Sequence, residues 1–477
     1  MNFSNNKFLT IIAFATFAVI GHWSFWSQGV YALGFNTTLF WLCLGGLLWK
    51  NHPLLRFKRD WVWITPLFLM ALSFSLYENP WLKVISCFVL PITTGVFYAY
   101  SQLINSSQHY WGLSLLQSVI KRNLLPFKHI GTVLNFSQNV FTSLFKQQEI
   151  NDINKRIFYG IALLIPIALL VLVLLSSADS NFERLISDIF SQFFNFIDLS
   201  IFAKLFSIFA LSLFLLATLH AFKDRFEITE SKIKFVLDDV VVGIVMSGIL
   251  IIYLFFLWLQ LEYLALDSLP KDFSQTERIV KSGFWQLFFL SILNTALFLT
   301  VYKNTGVVAQ TILRIFIAAS GLLLLSAAWR MGMYVFWYGF SYEKLFASYT
   351  TLFALGVFIY LLLASFAKQR KDVFRHIAFS ALWVYAIATV MPVEKIILYS
   401  NVQLAQLSNS RVDLNHLKNL SIDIFGDVHV RTNPLLRSQT ETWLDWARQL
   451  KRKRCHRAWY ENNISVVRHC SVLKNTK

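Results

Sequence analysis

Charged residues are scarce in this chain. Asp, Glu, Lys and Arg make up 14% of its 477 residues, against about 25% in a soluble globular domain. That scarcity excludes an ordinary soluble protein and a solvated disordered chain. Glycine and proline are also few, at 18 and 9, which excludes collagen-like and low-complexity sequence. Four cysteines in a chain of this length cannot define a disulfide-stapled miniprotein. No Cys-x-x-Cys pair, Cys/His metal spacing or haem motif occurs. A phosphate-binding P-loop, His-Glu-x-x-His, Gly-x-Ser-x-Gly and Gly-x-Gly-x-x-Gly are missing too. The sequence therefore names no catalytic residue, no metal and no cofactor.

What is present is apolar and aromatic. Hydrophobic residues make up 56%, with 46 Phe and 16 Trp, and the mean hydropathy is +0.53. The expected fold class is all-α: a polytopic helical membrane protein. A bilayer core of about 30 Å takes about 20 apolar residues per helix. Eleven segments approach that length: 8–27, 31–49, 61–77, 81–100, 157–177, 200–222, 239–261, 283–302, 307–329, 345–367 and 376–396. The short alternating runs of a barrel are absent, so helices must satisfy the backbone. Met1–Lys7 leads into the first run without a small-x-small cleavage site, which predicts an uncleaved first span. Cys43 and Cys87 lie within apolar runs and act as small hydrophobes.

The net charge of +17 would suggest nucleic acid in a soluble protein. Here the aromatic residues lie inside apolar runs, so no nucleic acid is expected, and the excess follows the cytoplasmic loops. With a cytoplasmic N-terminus the inside loops hold 20 Lys and Arg and the outside loops 6. Eleven crossings then place the tail outside. The expected organisation is four spans in 1–100, a cytoplasmic loop with an interfacial helix in 101–156, seven spans in 157–396 and a basic soluble tail in 397–477. Within the loop, Ile130, Val133, Leu134, Val140, Phe141, Leu144 and Phe145 recur at helical spacing. A second amphipathic helix is expected at 182–197, on the outer side. The tail holds 13 Lys and Arg against 6 Asp and Glu and is expected to form a small soluble cap.

Several phrases resemble one family of bacterial multi-pass membrane proteins catalogued only as a domain of unknown function. They are Gly34-Phe35-Asn36, Ser177-Ala178-Asp179-Ser180-Asn181-Phe182, Leu259-Gln260-Leu261-Glu262-Tyr263-Leu264 and Lys281-Ser282-Gly283-Phe284-Trp285-Gln286-Leu287. Arg330-Met331-Gly332-Met333-Tyr334, Tyr338-Gly339-Phe340 and a segment opened by Asn401 follow in order. The chain departs from the pattern after Leu264, where Ala265-Leu266-Asp267 stands in place of a Gly-rich stretch, and within 402–409. The resemblance implies an integral membrane protein and supplies no substrate, cofactor or catalytic residue. The localisation expected is the bacterial inner membrane.

The densest polar group lies at the outer ends of spans seven to nine. Gln260, Glu262 and Tyr263 close span seven, Arg278 and Gln286 flank the start of span eight, and Arg330 and Tyr334 follow span nine. Trp285, Trp329 and Trp337 flank them, as an aromatic belt would. The group reads either as that belt with loop ion pairs or as a polar pocket for an anionic headgroup or peptide. Arginine can hold phosphate or carboxylate bidentately, and Glu262 would counter Arg330 when the pocket is empty. Arg314, about seven residues into span nine, is a candidate intramembrane charge: it either snorkels, pairs with Asp239, or lines a cavity. Asp179 reads as a helix cap. Glu394 and Lys395 end span eleven as interface anchors.

In the tail, residues 451–457 form a basic run that reads as a solvated helix face or an anionic-lipid contact. Cys455 and Cys470 could pair in an oxidising compartment. The partners expected are the lipid bilayer, with anionic lipid or another membrane protein as further candidates. Three functions stay open: a transport-like or envelope-associated component with an outward polar pocket, a membrane enzyme on a lipid or lipid-linked substrate using Glu262 and Asp179, and a sensor or scaffold acting through the tail.

Overall fold

The computed structural model describes residues 29–51, 57–103, 120–121, 124–131, 199–221, 238–264, 273–367, 373–407, 410–424 and 455–474. Its side-chain description stops at Leu259 and resumes at Gly283. The expected first and fifth spans, the outer amphipathic helix at 182–197 with Asp179, and most of 101–156 lie outside the described residues.

All regular structure among the described residues is helical. In chain order the α-helices are α1 (Phe35–Asn51), α2 (Phe57–Leu76), α3 (Pro80–Leu103), α4 (Leu199–Ala221), α5 (Asp239–Leu264), α6 (Phe273–Val301), α7 (Val307–Tyr338), α8 (Tyr342–Phe366), α9 (Val373–Val390), α10 (Val393–Ala405) and α11 (Ile464–Lys474). Six contain stretches long and apolar enough to cross a membrane: Pro80–Phe97, Asp239–Leu259, Gly283–Val301, Val307–Tyr338, Tyr342–Phe366 and Val373–Val390. Trp61–Leu76 and Leu205–Thr218 are apolar but shorter. Eleven spans were expected; among the described residues six helices meet the length and apolarity required.

The chain divides into two compact units. In the unit of residues 1–27 and 122–225, the Phe127 ring lies 5.5 Å from that of Phe214 in α4. The unit of residues 28–121 and 226–477 holds the remaining named helices. Its long helix α7 packs against α5, α6 and α8, burying Leu313, Phe316, Ile317, Leu324 and Leu361 almost completely. A second core joins α2, α3 and α9 through Met70, Phe74, Leu90 and Ala386. The outward faces stay apolar: Phe88, Ile244, Ile251, Trp258, Phe289, Leu352 and Leu363 are all more than half exposed. Faces of this kind require hydrocarbon rather than water around them.

Interhelical hydrogen bonds tie these helices where no water could serve. Tyr253 Oη donates to Asn294 Oδ1 at 2.8 Å, and Asn294 Nδ2 donates to Ser320 Oγ at 2.9 Å, linking α5, α6 and α7. Thr38 Oγ1 donates to the Ala71 carbonyl at 2.7 Å and accepts from Ser75 Oγ at 2.6 Å, fastening α1 to α2.

Three boundaries differ from the sequence reading, one of them the start of α6, at Phe273 rather than at 283. α7 continues through Tyr338, so Arg330 and Tyr334 lie on its last turns rather than in the loop after it. The expected span 376–396 breaks at Pro392, which supplies no backbone N–H. α9 ends at Val390 and α10 starts at Val393. Glu394 therefore belongs to a new helix, 1% exposed, and is no interface anchor.

Candidate functional site

One end of the larger unit gathers the start of α1, the α2–α3 and α7–α8 turns, the α9–α10 break and the tail helix α11. The α2–α3 turn reads Tyr77-Glu78-Asn79-Pro80. Proline suits the first helical position and asparagine the cap before it. Asn79 Oδ1 accepts from the backbone N–H groups of Trp81 and Leu82 at 3.1 and 3.2 Å. This cap holds Glu78 inward, 1% exposed.

A buried carboxylate must be paired and hydrogen-bonded. Glu78 is paired with two cations: Lys83 Nζ lies 3.0 Å from Oε2 and Arg457 Nη1 2.8 Å from Oε1. Asn463 Nδ2 donates to Oε2 at 2.6 Å. Arg457 Nη1 also donates to the Tyr31 carbonyl. Burial alone would raise the Glu78 pKa. The Lys83 and Arg457 charges overcome it and hold the carboxyl below its usual range. Arg457 itself is buried. The last member of the expected basic run is thus a core ion, not part of a solvated face, while residues 451–454 lie outside the described residues.

Asp423 sits in a short 3-10 turn, Ile422–Ile424, 4% exposed. Both its oxygens accept from the Glu78 backbone N–H, at 3.0 and 2.9 Å, and the Ser465 hydroxyl bonds it from α11. Ser465 Oγ is in turn 3.2 Å from His469 Nδ1. Glu394 accepts from Tyr342 Oη at Oε1. Its Oε2 accepts from Ser421 N at 2.9 Å and Ser421 Oγ at 2.7 Å. Burial first, and the neighbouring Asp423 charge second, push the Glu394 carboxyl far above its ordinary range. Burial raises Asp423 as well, with the Glu78 charge adding to it against the Ser465 bond. Three acids thus share one end of the fold: one ionised between two cations, two inclined to hold protons.

A cavity of about 320 Å³ opens beside the two protonatable acids. Its polar lining includes Asn79, Glu394, Lys395, Asp423, Ser465, Arg468 and His469, and its apolar wall Leu76, Leu82, Met391, Val393 and Ile464. Asn79 is 3% exposed, and its Nδ2 meets no acceptor among the described residues. No group of three His, Cys, Asp or Glu side chains among the described residues is placed to hold a metal ion.

Around the cavity the tail is fastened by specific contacts. Asn401 spans the α7–α8 turn: Phe340 N donates to its Oδ1 at 2.6 Å and its Nδ2 donates to the Phe340 carbonyl at 2.8 Å. The turn requires Gly339, which has φ of 73° and would press a Cβ to 2.6 Å from Asn401 Oδ1. At the start of α1, Phe35 N donates to the Asn462 carbonyl at 3.0 Å, and a Cβ on Gly34 would overlap the Glu461 and Asn462 carbonyls. A disulfide joins Cys455 to Cys470 across this tail segment, with Cα atoms 5.7 Å apart.

A family model described as a domain of unknown function, DUF4153, matches residues 64–426. The chain belongs to the DUF4153 family. No curated protein and no solved structure matches it. The DUF4153 match holds Glu78, Asn79, Lys83, Glu394 and Asp423. The groups that close over them, Arg457, Asn463, Ser465 and His469, come from beyond residue 426.

The residues singled out from sequence fall elsewhere. The side chains of Gln260, Glu262, Tyr263 and Arg278 lie outside the described residues. Gln286 is exposed and Arg330 half-buried. Tyr334 is fully buried beneath the Lys344 ammonium, 4.2 Å from its ring centre. The described surface nearby is an apolar groove between α5 and α7, lined by Trp258, Leu322, Trp329 and Phe336. Arg314 does not pair with Asp239, which instead accepts from Gly306 N at 2.7 Å. Arg314 Nη2 donates to Tyr302 Oη and the Ser365 carbonyl, both at 3.1 Å, with Phe366 4.8 Å below. Sequence reasoning missed Glu78, Asn79 and Asp423. The available signals were an acid-amide-proline turn between two apolar runs and Lys83 three residues inside one of them.

Proposed function

We propose that this DUF4153 protein is a transport-like or envelope-associated component of the bacterial cytoplasmic membrane. In this reading it has about eleven spans, a cytoplasmic N-terminus and an extracytoplasmic tail. The tail closes an outward-facing ligand pocket, and the cavity lined by Asn79, Glu394 and Asp423 is that pocket. The observation carrying the proposal is a small cavity with an apolar wall and a few convergent polar groups. The Lys and Arg bias of the loops supports the orientation. The surrounding bilayer is its first partner, and anionic lipid or a second membrane protein at the basic tail is the next. The test is a cysteine at Leu76, which lines the cavity, with Cys43 and Cys87 changed to Ser, read against the same background without the Leu76 change so that any label on Cys455 and Cys470 is subtracted. A small membrane-impermeant maleimide is expected to label it in intact cells. Labelling only after lysis reverses the orientation, and no labelling in either state removes the pocket.

A second reading, an enzyme acting on a lipid-linked substrate, is favoured by the two adjacent carboxyls alone. Paired acids with displaced proton affinities are the usual equipment of acid-base chemistry.

A further inference from the structure

Arg314 brings a full charge to the level where α6 and α8 end. Its Nη2 donates to Tyr302 Oη and to the Ser365 carbonyl. Tyr302 directly follows α6, and Ser365 stands one residue before the end of α8. The side chain therefore runs back towards the start of α7, as long helical side chains do, and sets its charge at the edge of the apolar layer. Both partners are neutral, and Asp239 bonds Gly306 N instead. A half-buried guanidinium at such a boundary calls for an anion. Of its nitrogens without an acceptor among the described residues, Nε is buried and Nη1 keeps accessible surface.

Beside this charge the surface is apolar. The Phe366 ring centre lies 4.8 Å from the guanidinium carbon. Ile359, Leu363 and Phe366 follow one another at helical spacing on α8 and are 60%, 65% and 65% exposed. They form a strip that leads from the charge into the apolar layer. A soluble anion would meet the charge and leave the strip bare. A neutral chain would cover the strip and leave the charge unmet. We infer that Arg314 binds the phosphodiester of one anionic phospholipid, with an acyl chain lying along Phe366, Leu363 and Ile359. The headgroup must be anionic overall, because the ammonium of a zwitterionic one would restore the charge that the phosphate cancels. In the proposed orientation this is a lipid of the cytoplasmic leaflet. The site lies near the start of α7 and the proposed pocket gathers around its far end, so neither depends on the other.

The experiment uses the purified full-length chain, stripped of lipid in detergent, and reads its thermal unfolding midpoint with four probes: phosphatidylglycerol, phosphatidylcholine, diacylglycerol and glycerol phosphate. Phosphatidylglycerol is expected to raise the midpoint at a concentration where the other three do not. An equal rise with phosphatidylcholine or diacylglycerol means annular lipid only, and an equal rise with glycerol phosphate means a soluble anion. Either result overturns the inference, as does no rise with any probe. Two variants read the position. Arg314→Met is expected to need about tenfold more phosphatidylglycerol for the same rise. Arg411→Met, beside Trp337 at the far end of α7, is expected to need no more than the native chain. Equal responses from the native chain and Arg314→Met place the lipid elsewhere and overturn the inference. If Arg314→Met does not fold, Leu363→Asn puts an amide into the exposed strip and leaves the arginine in place. It is expected to weaken the response to phosphatidylglycerol, and an unchanged response overturns the inference equally.

Discussion

Asp423 and Glu78 lie 345 residues apart in the chain and meet backbone to side chain, the Glu78 N–H donating to both Asp423 oxygens. Through this contact the polar tail reaches the turn between two apolar helices. Arg457 and Asn463 then reach the Glu78 side chain from the far end of the tail. Glu78 is thus the point where the two chain regions are fastened.

Removing one partner from a buried ion pair strands the other charge, at about 3–5 kcal/mol. Arg457→Met is therefore expected to lower detergent stability strongly, because the buried Glu78 loses the guanidinium 2.8 Å from its Oε1. Arg314→Met is the contrasting case. Among the described residues its guanidinium hydrogen-bonds only neutral groups, and Tyr302 Oη keeps its own bond to the Ser365 carbonyl at 2.8 Å. Loss of about 1 kcal/mol is expected there. Equal effects in unfolding measurements would refute this account of both arginines.

Two of the four glycine-bearing phrases of the family resemblance give a steric prediction. Gly339→Ala forces φ of 73° on a residue with a Cβ and crowds Asn401. Gly34→Ala collides with the Glu461 and Asn462 carbonyls. Each is expected to cost more than 1 kcal/mol. Gly45→Ala, inside α1 with open space around it, is expected to stabilise slightly through helix propensity. Thermal unfolding of the three variants checks the order.

Much of the fold was legible because hydrophobic length is a one-dimensional signal. Each of the helices α5 to α9 covers all or most of one expected apolar run, though α6 starts earlier, α7 ends later and α9 stops short. The site was not legible, because its members are scattered: Glu78 and Lys83 sit at a turn, Glu394 past a proline, Asp423 and Arg457 in a polar tail. Each alone resembles a solvated charge, and only the chain path makes them a buried group. Pro392 was a readable stop signal hidden by apolar residues on both sides. Asn401 was visible as a motif, but its partner, the Phe340 backbone, was not.

The disulfide gives a prediction on the tail. Cys455 and Cys470 close a loop with a sequence separation of 15, worth about 3 kcal/mol in loop-closure entropy. Reduction of the native chain is expected to lower the stability of the tail segment and expose Arg457 and α11 first. Hydrogen exchange with and without reductant reads this directly. Faster exchange in 455–474 with α7 unchanged is the expected result, and uniform loosening would contradict it.

The three acids predict opposing pH limbs. Glu394 and Asp423 are raised in the folded chain. Their stabilisation is fully present below the ordinary carboxyl pKa of about 4 and is lost as pH climbs through the raised values. Glu78 is lowered. Its stabilisation is present above the ordinary value and is lost as pH falls through the depressed one. Stability should therefore fall as pH rises from the carboxyl range towards alkaline conditions, because two acids act on that limb. Glu394→Gln keeps a neutral side chain of the same shape and should flatten the limb. Glu78→Gln should leave the alkaline limb intact and lower stability at neutral pH by stranding Lys83 and Arg457. Unfolding midpoints across pH for the three proteins separate the contributions. A Glu394→Gln profile parallel to that of the native chain would mean that the buried acid is ionised throughout, and would remove the proton-holding role assigned to it.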